Sequence, residues 1–249
     1  MYQEDLPSPR LRGVVRAAWA SRAGTGRTIV RPDGCTDLIF HQTPGGQLSL
    51  RVVGVMTAPH PVHSDGGRRV ALRLHPHAAG ALLGDAALYR DDAVPAEAVW
   101  GAPTHALKEH LADLPTGAAQ DALQAFVQAR LRPVDPRVAY AAGRLEAGTP
   151  RIEGIEALAA ELRLSARQLT RLFGVHVGVS PRTFARTFRL ERTLPLLRDP
   201  SVPLASVALL AGYADQAHFT RECVALTGDT PRAWRVRNLQ DAAPDTPSD

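Results

Sequence analysis

The sequence predicts an α+β protein: a small β-rich N-terminal domain followed by helices, and an all-α C-terminal domain in which a long helix joins two similar helical pairs. Three observations predict it. Short segments rich in β-branched residues alternate with turns in the first part of the chain. Alanine and leucine at helical spacing follow, and a pattern of apolar helix, tight turn and polar helix occurs twice near the end. With 249 residues, 45% of them hydrophobic, the chain is long enough to bury a core.

The predicted strands of the N-terminal domain are short and separated by turn sequences. Pro-Asp-Gly, Pro-Gly-Gly and Asp-Gly-Gly interrupt them, and each supplies the glycine that a tight turn prefers. The strands cover residues 28–30, 37–40, 48–55 and 69–74. Helical spacing then appears at 78–83, 104–111, 118–131 and 137–145. A helical section therefore follows the sheet.

A break in the helical pattern, Ala-Gly-Thr-Pro at 147–150, marks the predicted domain boundary. We expect a β-rich and helical sensor or assembly domain over residues 1–135, a helix and linker over 136–150, and the paired-helix domain over 151–237. The remaining residues, 238–249, are acidic and contain proline, and this composition is typical of a disordered tail.

The first helical pair begins with an amphipathic helix whose apolar face consists of Ile155, Leu158, Ala159 and Leu162. After a tight exit at Arg163 and Leu164, Ser165 is the predicted N-cap of the second helix, and Gln168 completes a capping box. The residues of this helix that face the first one are Leu169, Leu172 and Phe173. The polar side chains left on its outer face are Arg167, Gln168, Thr170 and Arg171.

The same arrangement occurs again further along the chain. The apolar residues of its first helix are Leu204, Val207, Ala208, Leu210 and Ala211. This helix stops at Gly212, a residue that readily adopts the left-handed conformation of such a turn. Asp215 then caps a helix whose inward residues are Phe219 and Cys223. Its outward residues are Gln216, His218, Thr220 and Arg221.

A long helix from Pro181 to Arg198 is predicted to join the two pairs, with Phe184, Phe188, Leu190, Leu194 and Leu197 as its apolar residues. A short helix, a tight turn and a second helix with polar and basic residues in its first turns form a helix-turn-helix unit. This unit presents side chains to base edges in the major groove of DNA. A rigid connector would hold the two recognition helices about 34 Å apart, in successive major grooves. The pattern therefore predicts sequence-specific binding to double-stranded DNA.

Five segments match one family: residues 158–173 (LAAELRLSARQLTRLF), 178–181 (GVSP), 189–192 (RLER), 207–221 (VALLAGYADQAHFTR) and 227–231 (TGDTP). Over the whole C-terminal domain the chain thus resembles the AraC/XylS-type transcription regulators. The resemblance implies base or groove contacts from Arg167, Thr170, Arg171, Gln216 and Arg221, with His218 near a phosphate.

Two residues depart from the pattern of that family. Pro195 lies inside the connector, where a proline removes one helical hydrogen bond and can kink the helix. Cys223 stands where the family usually has phenylalanine, so we expect a less completely filled core at that position.

The N-terminal domain carries a weaker signal. Residues 31–40 (RPDGCTDLIF) resemble a β-rich effector region that precedes this domain in some actinobacterial-type regulators, which implies a family relationship and no known ligand. His60 with His63, and His75 with His77, leave open a metal-responsive regulator, and Cys35 leaves open a redox-responsive one. Ordinary loop histidines and a small buried residue are the alternative interpretations.

The remaining sequence features agree with a DNA-binding regulator. The net charge of +4 permits a polyanionic partner, and the chain shows neither a long apolar run nor a signal segment, so we expect it in the cytoplasm. We expect no enzyme, because no GxSxG, P-loop or GxGxxG element occurs and Cys35 stands alone where repair domains need a cysteine cluster or motif. The expected partners are operator DNA, RNA polymerase, a small-molecule effector and a second copy of the chain, without a cofactor or metal.

Overall fold

The computed structural model describes residues 2–22, 24–148 and 154–240, and it confirms a β-sheet region followed by helices. Six strands form an antiparallel sheet in the order β1-β2-β7-β4-β5-β8, and β3 pairs with β6 in a separate two-stranded ribbon. The strands are β1 (Tyr2–Asp5), β2 (Val15–Arg22), β3 (Thr25–Val30), β4 (Thr36–Gln42), β5 (Leu48–Val53), β6 (His60–Asp65), β7 (Arg68–Leu74) and β8 (Ala93–Pro95).

The predicted strands correspond to β3, β4, β5 and β7, and the sequence analysis missed the other four. Strand β2 lies between β1 and β7, and the consecutive residues Ala17, Ala18 and Trp19 are all buried, so it lacks the alternation that marks a half-buried strand. Strand β6 contains Pro61, which is unfavourable in strand interiors, and its residues are mostly polar. Strands β1 and β8 are very short.

Helices cover one face of the six-stranded sheet and fill its core. They are α1 (Ala79–Leu83), α2 (Ala96–Trp100), α3 (Pro103–Asp113) and α4 (Thr116–Gln128). Phe40 and Leu72 of the sheet pack in one apolar cluster with Leu111 of α3 and Leu123 of α4, and all four side chains are fully buried. This face of the sheet is therefore occupied by the domain's own side chains.

Seven helices follow: α5 (Pro136–Ala147), α6 (Gly154–Glu161), α7 (Ala166–Val177), α8 (Pro181–Leu197), α9 (Leu204–Leu210), α10 (Gln216–Thr227) and α11 (Pro231–Gln240). Residues 149–153, which include Thr149 and Pro150 of the predicted break at 147–150, lie outside the described residues. The predicted tail, 238–249, begins within α11, which extends to Gln240, and residues 241–249 lie outside the described residues. Within the described part of the chain, no helix is both long and apolar enough to cross a membrane.

The C-terminal helices pack around two separate apolar clusters. The first joins Leu158, Phe173 and Phe184 to Val138 of α5 and to Val55, which follows β5. The second consists of residues from α8 to α11 and the loop before α10: Leu190, Leu194, Leu197, Val207, Ala208, Tyr213, Phe219, Cys223, Leu226 and Trp234. The first helix-turn-helix unit therefore shares its core with the N-terminal domain, whereas the second has a core of its own.

Helix α8 is the predicted connector. Ser180 caps it, with its Oγ accepting a hydrogen bond from the Thr183 N–H at 3.1 Å, and Pro181 occupies the first turn. Pro195 lies in the last turn, and the helix continues to Leu197, so the proline does not divide the connector. With 17 residues at about 1.5 Å each, α8 is about 25 Å long.

Candidate nucleic-acid interface

The turn between α6 and α7 is closed by backbone hydrogen bonds and a left-handed residue. The Leu164 N–H donates to the Ala159 carbonyl at 2.9 Å, and Arg163 adopts a φ of 56°. A non-glycine residue in this conformation is strained by contacts between its Cβ and the backbone. The structure thus has the tight exit predicted at Arg163 and Leu164, in which a backbone hydrogen bond holds the turn and the left-handed Arg163 backbone is strained.

Ser165 begins α7 with both halves of a capping box. The Gln168 N–H donates to Ser165 Oγ at 3.2 Å, and the Ser165 N–H donates to Gln168 Oε1 at 2.8 Å. Two backbone donors that would be unpaired at the start of the helix are satisfied in this way. The side-chain carbonyl of Gln168 is therefore engaged in the cap.

The outer face of α7 presents the residues that the sequence predicted. Arg167, Gln168, Thr170 and Arg171 are all exposed and border one shallow surface groove. In the part of the chain that the structure describes, neither arginine has a carboxylate partner within salt-bridge distance. Thr170 donates its hydroxyl to the Ala166 carbonyl at 2.8 Å, so this oxygen faces outward only as an acceptor. The two arginines are thus the free cations of this helix face.

The second unit repeats the turn with glycine in the strained position. The Tyr213 N–H donates to the Ala208 carbonyl at 2.9 Å, as Leu164 does in the first unit, and Gly212 has a φ of 77°. Asp215 then caps α10, with its Oδ1 accepting from the His218 N–H at 2.6 Å. The second recognition helix is therefore held at its start by the same kind of contact as the first.

The outward residues of α10 divide into free and engaged side chains. Gln216 and Arg221 are exposed, and Arg221 has no carboxylate partner among the described residues. Thr220 donates to the Gln216 carbonyl at 2.8 Å. His218 is half-buried; its Nδ1 accepts from the Ala214 N–H at 3.4 Å and its Nε2 lies 3.5 Å from a Glu222 oxygen. The imidazole therefore supports the start of α10 as well as bordering the outer face.

An ion pair that the sequence analysis did not find joins the connector to the second recognition helix. Arg186 of α8 donates from Nε to Glu222 Oε1 at 3.0 Å, and Glu222 is 8% exposed. Its other oxygen, Oε2, is buried without a hydrogen-bond partner among the described residues. Breaking a buried charge pair leaves the remaining charge uncompensated. Arg186 and Glu222 therefore restrain the position of α10 relative to α8.

Cys223, the second departure from the family pattern, is fully buried in the core of the second unit. Burial raises the pKa of its thiol to about 11, and its Sγ lies 3.8 Å from Thr227 Oγ1. The residue acts as a small core side chain at a position where the sequence analysis expected incomplete filling.

The histidines and Cys35 do not support the metal- or redox-responsive alternative. His60 and His63 are three residues apart on β6 and so point to opposite faces, while His75 and His77 stack on each other with ring centroids 5.4 Å apart. No group of three or more candidate metal ligands occurs within the described residues. Cys35 is buried, and burial together with Asp33 and Asp37 raises the pKa of its thiol well above the usual value. An elevated thiol pKa disfavours the reactive thiolate.

Family models match both parts of the chain. Residues 158–237 match a model described as a helix-turn-helix domain, and residues 3–94 match one described as a domain of unknown function. The first match covers both recognition helices and the connector.

Two curated proteins are similar to the chain over part of its length. The probable bifunctional transcriptional activator/DNA repair enzyme AlkA of Mycobacterium tuberculosis is 33% identical over 100 residues, which are 40% of this chain and 20% of that protein. The HTH-type transcriptional regulator CdhR of Pseudomonas aeruginosa is 32% identical over 79 residues, which are 32% of this chain and 24% of that protein. The chain thus spans only a fifth to a quarter of these curated relatives.

Among solved structures, the chain is similar to a probable AraC family transcriptional regulator from Rhodopseudomonas palustris. The two are 30% identical over 44% of this chain and 100% of that one, with a TM-score of 0.37.

Proposed function

We propose that this chain, which belongs to the AraC/XylS-type transcriptional regulators, binds one operator with both recognition helices in successive major grooves. The observation that carries the proposal is the pairing of two capped helices, α7 and α10, on one connector, each with exposed arginine in its first turns. Arginine binds guanine edges with two hydrogen bonds when it is free to do so. Unpaired arginines on both helices therefore favour base reading by both units.

We assign the direct contacts to the free side chains of the two helices. Arg167 and Arg171 read the first half-site, and Gln216 and Arg221 read the second. The remaining predicted site residues, Gln168, Thr170, His218 and Thr220, lie at the same surface with polar groups already engaged in their own helix. Their role is to complete the groove contact and hold its geometry.

We also propose a separate role for each part of the chain. Residues 151–237 bind DNA, residues 1–135 control the protein through a ligand or through assembly, and 136–150 connect them. The packing of Val55 and Val138 in the core of the first unit supports this division, because it joins the DNA-binding part of the chain directly to the part that precedes it. The protein would act in the cytoplasm, where an operator and RNA polymerase are both available to it.

A selection of bound duplexes from a random pool tests the proposal, with the purified full-length chain as bait. We expect one preferred site with two half-sites about one helical turn apart. Arg171→Ala and Arg221→Ala should each lose about 1–3 kcal/mol of binding free energy and relax specificity in a different half-site. Affinity for the preferred site should fall steeply as salt rises, because bound arginines release counterions from the phosphates.

Arg10→Ala provides a matched control, because Arg10 is an exposed arginine of the N-terminal domain far in sequence from both helices. Its affinity and specificity should equal those of the unaltered protein. A selection without any preferred sequence would refute the proposal. A uniform loss for all sequences in Arg171→Ala or Arg221→Ala would instead assign that arginine to a phosphate.

A further inference from the structure

A cavity lies between the N-terminal domain and the second helix-turn-helix unit. It has a volume of about 940 Å³ and adjoins a second cavity of about 560 Å³, because Asp33, Arg73 and Glu191 line both. We call the two together the interdomain cleft. One wall is the exposed ribbon of β3 and β6, and the opposite wall is formed by α8 and α11.

The charges of the interdomain cleft are incompletely paired. Asp33 lies 3.3 Å from Arg73 and Asp229 lies 2.5 Å from Arg237, so these charges are matched within the walls. Arg31 reaches only 3.8 Å from Glu191, and no carboxylate among the described residues pairs with Arg27. The N-terminal wall therefore presents two guanidinium groups, Arg27 and Arg31, with donors to spare for an anion.

The same cleft contains an unsatisfied acceptor and open apolar surface. Glu191 Oε1, the atom that lies 3.8 Å from Arg31 Nη2, is buried and has no hydrogen-bond partner among the described residues, so only this long ion pair compensates its burial. Ile29 and Val30 of the ribbon are 48% and 40% exposed, respectively, and Trp234 of α11 lines the same cleft. Such large apolar side chains beside incompletely paired guanidinium groups suit a ligand with both an anionic group and an apolar body.

A ligand in the interdomain cleft would affect how firmly the second helix-turn-helix unit is held against the N-terminal domain. The first unit is packed against the N-terminal domain through apolar contacts, as at Gly178, where an added Cβ would lie 2.7 Å from Val55. Across the cleft, the second unit approaches that domain through polar or isolated contacts, such as Arg31 with Glu191 and Arg31 over the Trp234 ring at 6.0 Å. A molecule bridging the cleft would therefore chiefly restrain the second unit.

We propose that the interdomain cleft binds a small organic anion that has an apolar body and a hydrogen-bond donor, and that this ligand fixes the second recognition helix relative to the first. The anion lies against Arg27 and Arg31, the apolar body covers Ile29 and Val30, and the donor reaches Glu191. Control of operator binding by this ligand rests on the function proposed above, whereas ligand binding itself does not.

The test uses 8-anilinonaphthalene-1-sulfonate, an aromatic anion with an N–H donor whose fluorescence rises in apolar surroundings. With the full-length chain we expect saturable binding of one molecule per protein, weakened at least tenfold in Arg27→Glu and unchanged in Arg10→Glu, a charge reversal at an exposed arginine elsewhere in the N-terminal domain. Both variants should keep the melting temperature of the unaltered protein. Inorganic sulfate at matched ionic strength should not displace the probe.

Equal binding by Arg27→Glu and Arg10→Glu, or the absence of saturable binding, would overturn the site, and displacement by sulfate would overturn the apolar part of it. A second measurement tests control: the probe should change affinity for the selected two-half-site operator but not for its first half-site alone. Unchanged affinity for both would overturn the control. Failure of the unaltered protein to select any DNA would refute the proposed function while leaving the probe result intact.

Discussion

The two glycines that end the recognition helices allow a direct measurement of how the N-terminal domain holds the first unit. Gly178 ends α7 and Gly228 ends α10, both in the left-handed conformation, with φ of 91° and 79°. A Cβ on Gly178 would lie 2.7 Å from Val55 Cγ1 and 3.1 Å from the Ala86 backbone oxygen. At Gly228 the nearest atom is Pro59 Cγ at 3.9 Å, an ordinary contact.

We therefore expect Gly178→Ala to destabilise the protein more than Gly228→Ala does. The left-handed conformation costs an alanine about 1–2 kcal/mol at either position. At Gly178 the new methyl group also crowds the buried Val55 and neighbouring backbone, and such overpacking adds about 1–3 kcal/mol. The free energy of unfolding should thus fall by about 2–5 kcal/mol for Gly178→Ala and by about 1–2 kcal/mol for Gly228→Ala.

Urea unfolding of the full-length chain, followed by far-ultraviolet circular dichroism, measures both losses. The dependence of unfolding free energy on urea should be the same in the two variants, so that midpoints report stability alone. Gly228→Ala serves as the control for backbone strain, because it changes the equivalent residue without the crowding. Equal losses in the two variants would refute the packing of the first unit against Val55.

Three further changes test individual features. Ser165→Ala should lower the unfolding free energy by about 1 kcal/mol, because it removes one half of the capping box with Gln168; an unaltered urea midpoint would contradict that role. Arg163→Gly should raise the unfolding free energy by about 1 kcal/mol, since φ is 56° at that position and glycine adopts this conformation without strain. Destabilisation would show that contacts of the arginine side chain outweigh the strain of its backbone. Burial raises the pKa of Asp37 to about 6, so the folded state holds this proton more tightly than the unfolded state does. Stability should therefore fall as pH rises from about 4 to 6, and melting curves of Asp37→Asn should show a weaker fall across this range.

The helix-turn-helix units were predictable because their determinants are local. Each determinant involves residues only a few positions apart: the cap at Ser165, the left-handed Gly212 and the apolar spacing of each helix. The structure has them where the sequence pattern predicted them. The connector was also visible, because Pro181 starts it and Pro195, the expected source of a kink, comes only in its last turn.

The features that escaped prediction depend on residues distant in sequence. Strand β2 is recognisable only from its pairing with β7, some fifty positions away, because its buried alanines show no alternation. The ion pair between Arg186 and Glu222 also has no sequence signal, because each residue alone is typical of a surface charge on an amphipathic helix. The contact between Gly178 and Val55 crosses the two domains and has no sequence signature. Tertiary packing, and not local propensity, decides all three.

The two recognition helices thus share one local design in different surroundings. The first is anchored by an apolar core that includes Val55 and Val138 of the preceding region. The second has its own core and is restrained by the ion pair of the half-exposed Arg186 with the buried Glu222, with an open cleft between it and the β3–β6 ribbon. Because packed apolar cores resist displacement more strongly than polar contacts across a cavity, the control that we propose for the N-terminal domain would shift the second unit more easily than the first. We therefore predict that, under this proposed control, binding of the second half-site changes while the first half-site stays bound.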